Sequence, residues 1–82
     1  MIKGISLFSN VGLAETYLKD VGVDIVIANE LIEKRARFYK HLYPKCEVVN
    51  GDITDDAVFN SIVAKAKELG VEFLIATPPC QG

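Results

Sequence analysis

The feature that most restricts the fold of this chain is its alternation of short apolar runs with helix-length amphipathic segments. Residues 2–8, 23–28, 47–50 and 73–76 are rich in Ile, Val, Leu and Phe, and turn residues such as Gly22, Gly51 and Gly70 punctuate the chain between them. Strands joined by a two-residue turn can pair as hairpins, but connections of about a dozen residues or more place successive strands parallel, with right-handed crossovers. The expectation is an α/β fold in which four parallel strands are linked by crossover helices.

The intervening segments carry helical signals. Leu13, Tyr17, Leu18 and Val21 recur at helical spacing, and Gly22 is placed to stop that helix. Residues 31–42 form a second helix with Leu31, Arg35, Phe38 and Leu42 along one stripe and Ala36 and Tyr39 beside it, and Pro44 blocks continuation. After the turn at Gly51, Asp52, Ile53 and Thr54, the Thr54 side chain is placed to cap a third helix with Asp55 and Asp56 in its first turn. Val58, Ile62, Val63, Ala66 and Leu69 line that helix, and Gly70 ends it. No repeat, linker or low-complexity stretch divides the chain, so residues 1–82 read as one unit.

Composition narrows the function classes. With 82 residues, half of them apolar, a packed but small core is available. No apolar run reaches the roughly 20 residues needed to span a bilayer, and the start has no signal-peptide pattern, which predicts a cytoplasmic protein with no membrane partner. A net charge of −2 is unlike the basic surface that gathers phosphates, so this stretch by itself is expected to bind nucleic acid weakly or not at all. The two cysteines, Cys46 and Cys80, lie far apart with no C-x-x-C spacing, indicating neither a zinc site nor a disulfide framework. His41 reads as a solvated residue near a helix end, and Cys46 as a small apolar residue beside the third strand.

In open parallel sheets, ligands bind beyond the carboxyl ends of the strands. Those ends carry Phe8 to Gly12, then Asn29 and Glu30, then Asn50 to Ile53, then Thr77 to Gln81. Glu30 stands where a carboxylate accepts hydrogen bonds from ribose hydroxyls, Asp52 can accept one from an adenine amine, and Ile53 and Phe8 offer apolar contact to a ring. Together they describe an adenosine pocket. The loop Ser9, Asn10, Val11, Gly12 holds a single glycine, unlike the glycine-rich turn that cradles a diphosphate, which disfavours a dinucleotide. Cys80 follows Pro78 and Pro79, whose rings fix two φ angles, so its thiol is rigidly presented at the fourth strand's end as a candidate nucleophile.

These residues, in this order, resemble the DNA cytosine carbon-5 methyltransferase family along essentially the whole chain. Residues 6–12 look like the family's first motif, Asn29 and Glu30 like the second, residues 51–54 like the third, and Pro79, Cys80 and Gln81 like the nucleophile motif. The resemblance implies a Rossmann-like, S-adenosylmethionine-dependent methyltransferase fold, of which this chain carries the first four strands as a truncated, amino-terminal part. It implies S-adenosyl-L-methionine as cofactor, contacted by Phe8, Ser9, Asn10, Gly12, Glu30, Leu31, Asp52, Ile53 and Pro78, with Cys80 as the catalytic nucleophile. It implies DNA as the partner of the complete enzyme, a role in restriction and modification in a bacterial or archaeal cell, and a remaining carboxyl-terminal portion or second subunit to complete the site. Ser6, Ser9, Asn10 and Leu13 depart from the family's first motif, and the Glu-Asn-Val motif and target-recognition region have no counterpart here. The motifs leave open an RNA-directed relative of the family, as well as a non-catalytic Rossmann-type nucleotide-binding module.

Overall fold

A computed structural model describes residues 1–7 and 13–76 of the chain. Strands β1 (Ile2–Leu7), β2 (Val23–Glu30), β3 (Glu47–Asn50) and β4 (Phe73–Ala76) alternate with helices α1 (Leu13–Asp20), α2 (Glu33–Leu42) and α3 (Asp56–Leu69). The strands form one sheet in the order β3-β2-β1-β4, and each neighbouring pair is parallel, as the long connections require. The chain therefore builds outward from β1 to β3, then returns past β1 to add β4 on the other side.

Both sheet faces are covered, and the apolar residues divide accordingly. On one face Val23, Ile25, Ala28, Tyr39 and Cys46 form a buried cluster joined by Leu18 of α1 and by Phe73 and Ile75 of β4. On the other, Ile5, Ile27 and Ile62 are buried, with Val58, Ala66 and Leu69 of α3 packed around them. Such two-sided burial explains why the strands read as continuous apolar runs rather than alternating ones.

Within β2 the pairing slips by one residue. Gly4 pairs with Ile25 but Ile5 pairs with Ile27, leaving Val26 as an extra residue, a β-bulge. Side chains normally alternate between faces along a strand. Here Val23 and Ile25 belong to the α1/α2 cluster, Val26 and Ile27 both belong to the α3 cluster, and Ala28 returns to the first. The bulge thus reverses the phase of the second half of β2, the half to which β3 pairs.

Several local expectations are corrected. The second helix begins at Glu33 rather than Leu31, because β2 runs two residues beyond Ala28: Asn29 and Glu30 continue the ladder opposite Val49 and Asn50. Its buried stripe is Ala36 and Tyr39, whereas Leu31, Phe38 and Leu42 are exposed; small Ala36 lets the helix approach the sheet and the Tyr39 ring fills the space. In α1, Tyr17 faces solvent, and Val21 lies past the last turn, where its N–H bonds the Leu18 carbonyl. Helix α3 is capped by Asp55, which accepts from the Ala57 N–H at 2.8 Å, and not by Thr54, whose hydroxyl is engaged by Asp52. Gly70 closes α3 in the left-handed conformation at φ 71°, as its position predicted. His41 lies exposed in the last turn of α2, and Cys46 is buried beside β3, its thiol donating to the Glu47 carbonyl at 3.8 Å. Among the described residues no helix is long and apolar enough to cross a membrane.

Candidate functional site

Because all four strands are parallel, their carboxyl ends, Leu7, Glu30, Asn50 and Ala76, lie along one edge of the sheet. Pairing of Glu30 with Asn50 brings the end of β2 beside the end of β3, so Glu30 and Asp52 stand on adjacent turns. Expected site residues Glu30, Leu31, Asp52 and Ile53 all gather at this junction. Phe8, Ser9, Asn10, Gly12, Pro78 and Cys80 lie outside the described residues.

Glu30 is only 5% exposed although it is a carboxylate, a burial that acidic residues rarely show without partners. Among the described residues its carboxylate receives one hydrogen bond, from the Ile32 N–H to Oε1, at a long 3.3 Å. An ionised carboxylate can accept about four hydrogen bonds, so most of this group's accepting capacity is left for other donors. Leu31, next in the chain, is 59% exposed and presents an apolar side chain at the rim.

Asp52 is exposed and is organised by its own turn. Its Oδ1 accepts from the Thr54 hydroxyl at 2.7 Å and from the Thr54 N–H at 2.9 Å. Those two bonds, the hydroxyl first and the amide second, hold the carboxyl below its ordinary value against a desolvation that works the other way. Both bonds fall on Oδ1, and the residue as a whole is exposed. Ile53 is half-buried against the α3 cluster and reaches an apolar groove of about 340 Å³ that is also lined by Ile5, Leu7, Phe59, Ile62 and Leu74.

The junction is held by residues to which the motif reading assigned no separate role. The Asn29 amide donates to the carbonyls of Val49 and Gly51, each at 3.0 Å, and the Asn50 amide donates to those of Glu30 and Leu31 at 2.9 and 3.1 Å. Gly51 adds its N–H to the Glu30 carbonyl at 3.0 Å. At φ +149° Gly51 occupies backbone space that side chains avoid, and a Cβ there would lie 2.7 Å from Val58. An asparagine at the next-to-last position of β2 and another at the last position of β3 are the only traces of this arrangement in the sequence.

Comparison with known proteins gives this arrangement a family. The model of the C-5 cytosine-specific DNA methylase family matches residues 2–82. The Type II methyltransferase M1.HgaI of Avibacterium volantium is 52% identical over 81 residues, which are 99% of this chain and 23% of that protein. A crystal structure of a Spodoptera frugiperda DNMT2 mutant superposes with a TM-score of 0.72 at 22% identity, covering 100% of this chain and 24% of that one, which shows a shared Rossmann-like α/β fold. The chain thus spans about a quarter of the length of each relative. From the match along residues 2–82 and the parallel sheet that carries it, this chain belongs to the C-5 cytosine-specific DNA methylase family.

Proposed function

We propose that this chain provides the adenosine-binding edge and the nucleophile of an S-adenosylmethionine-dependent DNA cytosine carbon-5 methyltransferase of a Type II restriction-modification system. The observation that carries the reading is the β2–β3 junction of a chain matched by the family model from end to end. There a buried carboxylate with accepting capacity left, Glu30, adjoins an exposed one, Asp52. Glu30 suits the ribose hydroxyls, which need acceptors, and Asp52 Oδ2 suits the adenine amine, while Leu31 and Ile53 contribute apolar surface at the junction and Phe8 and Pro78 are assigned ring contact. Ser9, Asn10 and Gly12 are assigned to the methionine end.

When bound, S-adenosylmethionine supplies the methyl electrophile for carbon 5 of cytosine. The chain's own contribution is the Cys80 thiolate. It adds to carbon 6 of a cytosine turned out of the duplex, forming a carbon–sulfur bond and moving the electron pair of the carbon 5–carbon 6 double bond onto carbon 5. It leaves again once the methylated carbon has lost its proton, restoring the aromatic ring. Cys80 needs its thiolate form for this, so local depression of the ordinary cysteine value, about 8.5, favours the reaction at neutral pH.

Completion of the enzyme falls to further polypeptide, covalent or separate. The outer edge of β4, unpaired among the described residues, and the apolar groove between β4 and α3 are the surfaces it would cover. The test is transfer of labelled methyl from S-adenosylmethionine to DNA by the 82-residue chain, alone and mixed with a polypeptide carrying the rest of a family methyltransferase. Transfer only in the mixture, and its loss in Cys80→Ser, is the expected result. Turnover by the chain alone at the rate of a complete enzyme overturns the divided site, and transfer to RNA in place of DNA overturns the substrate assignment.

A further inference from the structure

Asn29 and Asn50 hold the two halves of the β2–β3 junction together from opposite sides. Asn29 is 1% exposed, and both hydrogens of its amide are used: one bonds the Val49 carbonyl, the other the Gly51 carbonyl, just before Asp52. Asn50 returns the contact, its amide bonding the carbonyls of Glu30 and of Leu31. The Glu30 carbonyl also accepts from Gly51 N–H, so it takes two hydrogen bonds from the β3 side. Ordinary ladder bonds hold strands only as far as the strands continue, and beyond them backbone carbonyls need other partners. At this junction side-chain amides take over the task where β2 and β3 end. Each amide reaches across to the turn that carries the other strand's carboxylate.

We infer that Asn29 and Asn50 act as a reciprocal amide clasp that sets the spacing of Glu30 and Asp52, making them positioning residues for an adenosine-bearing ligand. The inference rests on the adenosine reading of those two carboxylates given above. A ligand bridging a ribose acceptor and an adenine acceptor needs both at once, and a displacement of about an ångström in such a pair is felt strongly in binding. The clasp acts on backbone carbonyls, so it fixes the turns without using the carboxylates' own oxygens. Asn50 is exposed, which allows the donor to be replaced by an isosteric acceptor without burying a charge.

The experiment compares the 82-residue chain with Asn50→Asp, Glu30→Gln and the double variant, all at a temperature where circular dichroism shows each fully folded. Amide hydrogen exchange is followed at Gly51 and Ile32, whose N–H groups bond the Glu30 carbonyl and carboxylate, with Tyr43 at the end of α2 and Phe59 in α3 as controls. Affinity for S-adenosylhomocysteine is measured by calorimetry. In Asn50→Asp, exchange at Gly51 and Ile32 is expected to quicken about tenfold against the controls, since hydrogen bonds to two carbonyls are lost. Affinity should fall about tenfold in Asn50→Asp but change little further when Asn50→Asp is added to Glu30→Gln, because the amide works through the carboxylate. A merely structural asparagine would give additive losses. Unchanged exchange at Gly51 and Ile32, or an Asn50→Asp chain that binds as tightly as the wild type, overturns the clasp alone. No binding by the wild-type chain overturns the adenosine reading, and the positioning role with it.

Discussion

The two sides of the sheet's central strand β1 are finished in opposite ways. On the β2–β3 side, Ile27 and Asn29 are 0% and 1% exposed, and side-chain amides bond across the strand ends. On the β4 side the strand is four residues long, Leu74 is 58% exposed, and an apolar groove opens between the sheet and α3. Polar closure ties the strand ends of the first side together within the chain. Apolar surface on the second side gains stability only when something else removes it from water.

The sharpest test of this contrast sets Ile27 against Leu74. Ile27→Ala is expected to cost about 2–5 kcal/mol in chemical denaturation, since it empties a position with no solvent exposure. Leu74→Ser should stay within about 0.5 kcal/mol and make the chain less prone to associate, because the residue is largely in water already. Equal losses at the two positions would break the comparison. A smaller effect is expected from Gly51→Ala, about 1–3 kcal/mol, for strain at φ +149° and crowding against Val58. Nuclear magnetic resonance shifts should then move at Glu30 and Asp52 and remain fixed along β4; shifts spread evenly over the sheet would mean the junction is not a separate unit.

The smallest effect concerns the titration of Asp52. Its carboxyl lies below the ordinary 3.8 because the Thr54 hydroxyl and then the Thr54 N–H favour the charged form. A lowered folded-state value contributes stability at pH values above the unfolded one, and that contribution disappears as pH falls through the folded value. Thr54→Val removes the hydroxyl bond and keeps the amide, so the Asp52 midpoint should climb toward 3.8 in a carboxyl-detected titration. A midpoint that does not move assigns the effect to the amide alone.

The order and parallel pairing of the elements were legible in the spacing of the apolar runs, and the bounds of β3 and β4 agree with the expectation. What escaped was any choice between equivalent local patterns. Residues 31–42 offer two helical stripes, and only the position of the sheet decides that Ala36 and Tyr39 turn inward while Phe38 stays out. Thr54 and Asp55 are both able to cap α3, and Asp52, by engaging Thr54, leaves the task to Asp55. At the site, Glu30 and Asp52 could be picked from strand-end position and carboxylate chemistry. Asn29 and Asn50 could not be given a role in the same way, since an asparagine beside a turn usually signals only the turn.

The bulge at Val26 makes pairing register a stricter constraint than residue identity along β2. Regular pairing of the same residues, with Val26 opposite Ile5 and no bulge, would slip the remainder of the strand by one position and turn it to the opposite faces. Ala28 and Glu30 would then exchange faces with Ile27 and Asn29, setting a carboxylate toward the α3 cluster and an aliphatic side chain toward α1 and α2. Every residue would be retained, yet the carboxylate would point to the wrong side of its own sheet.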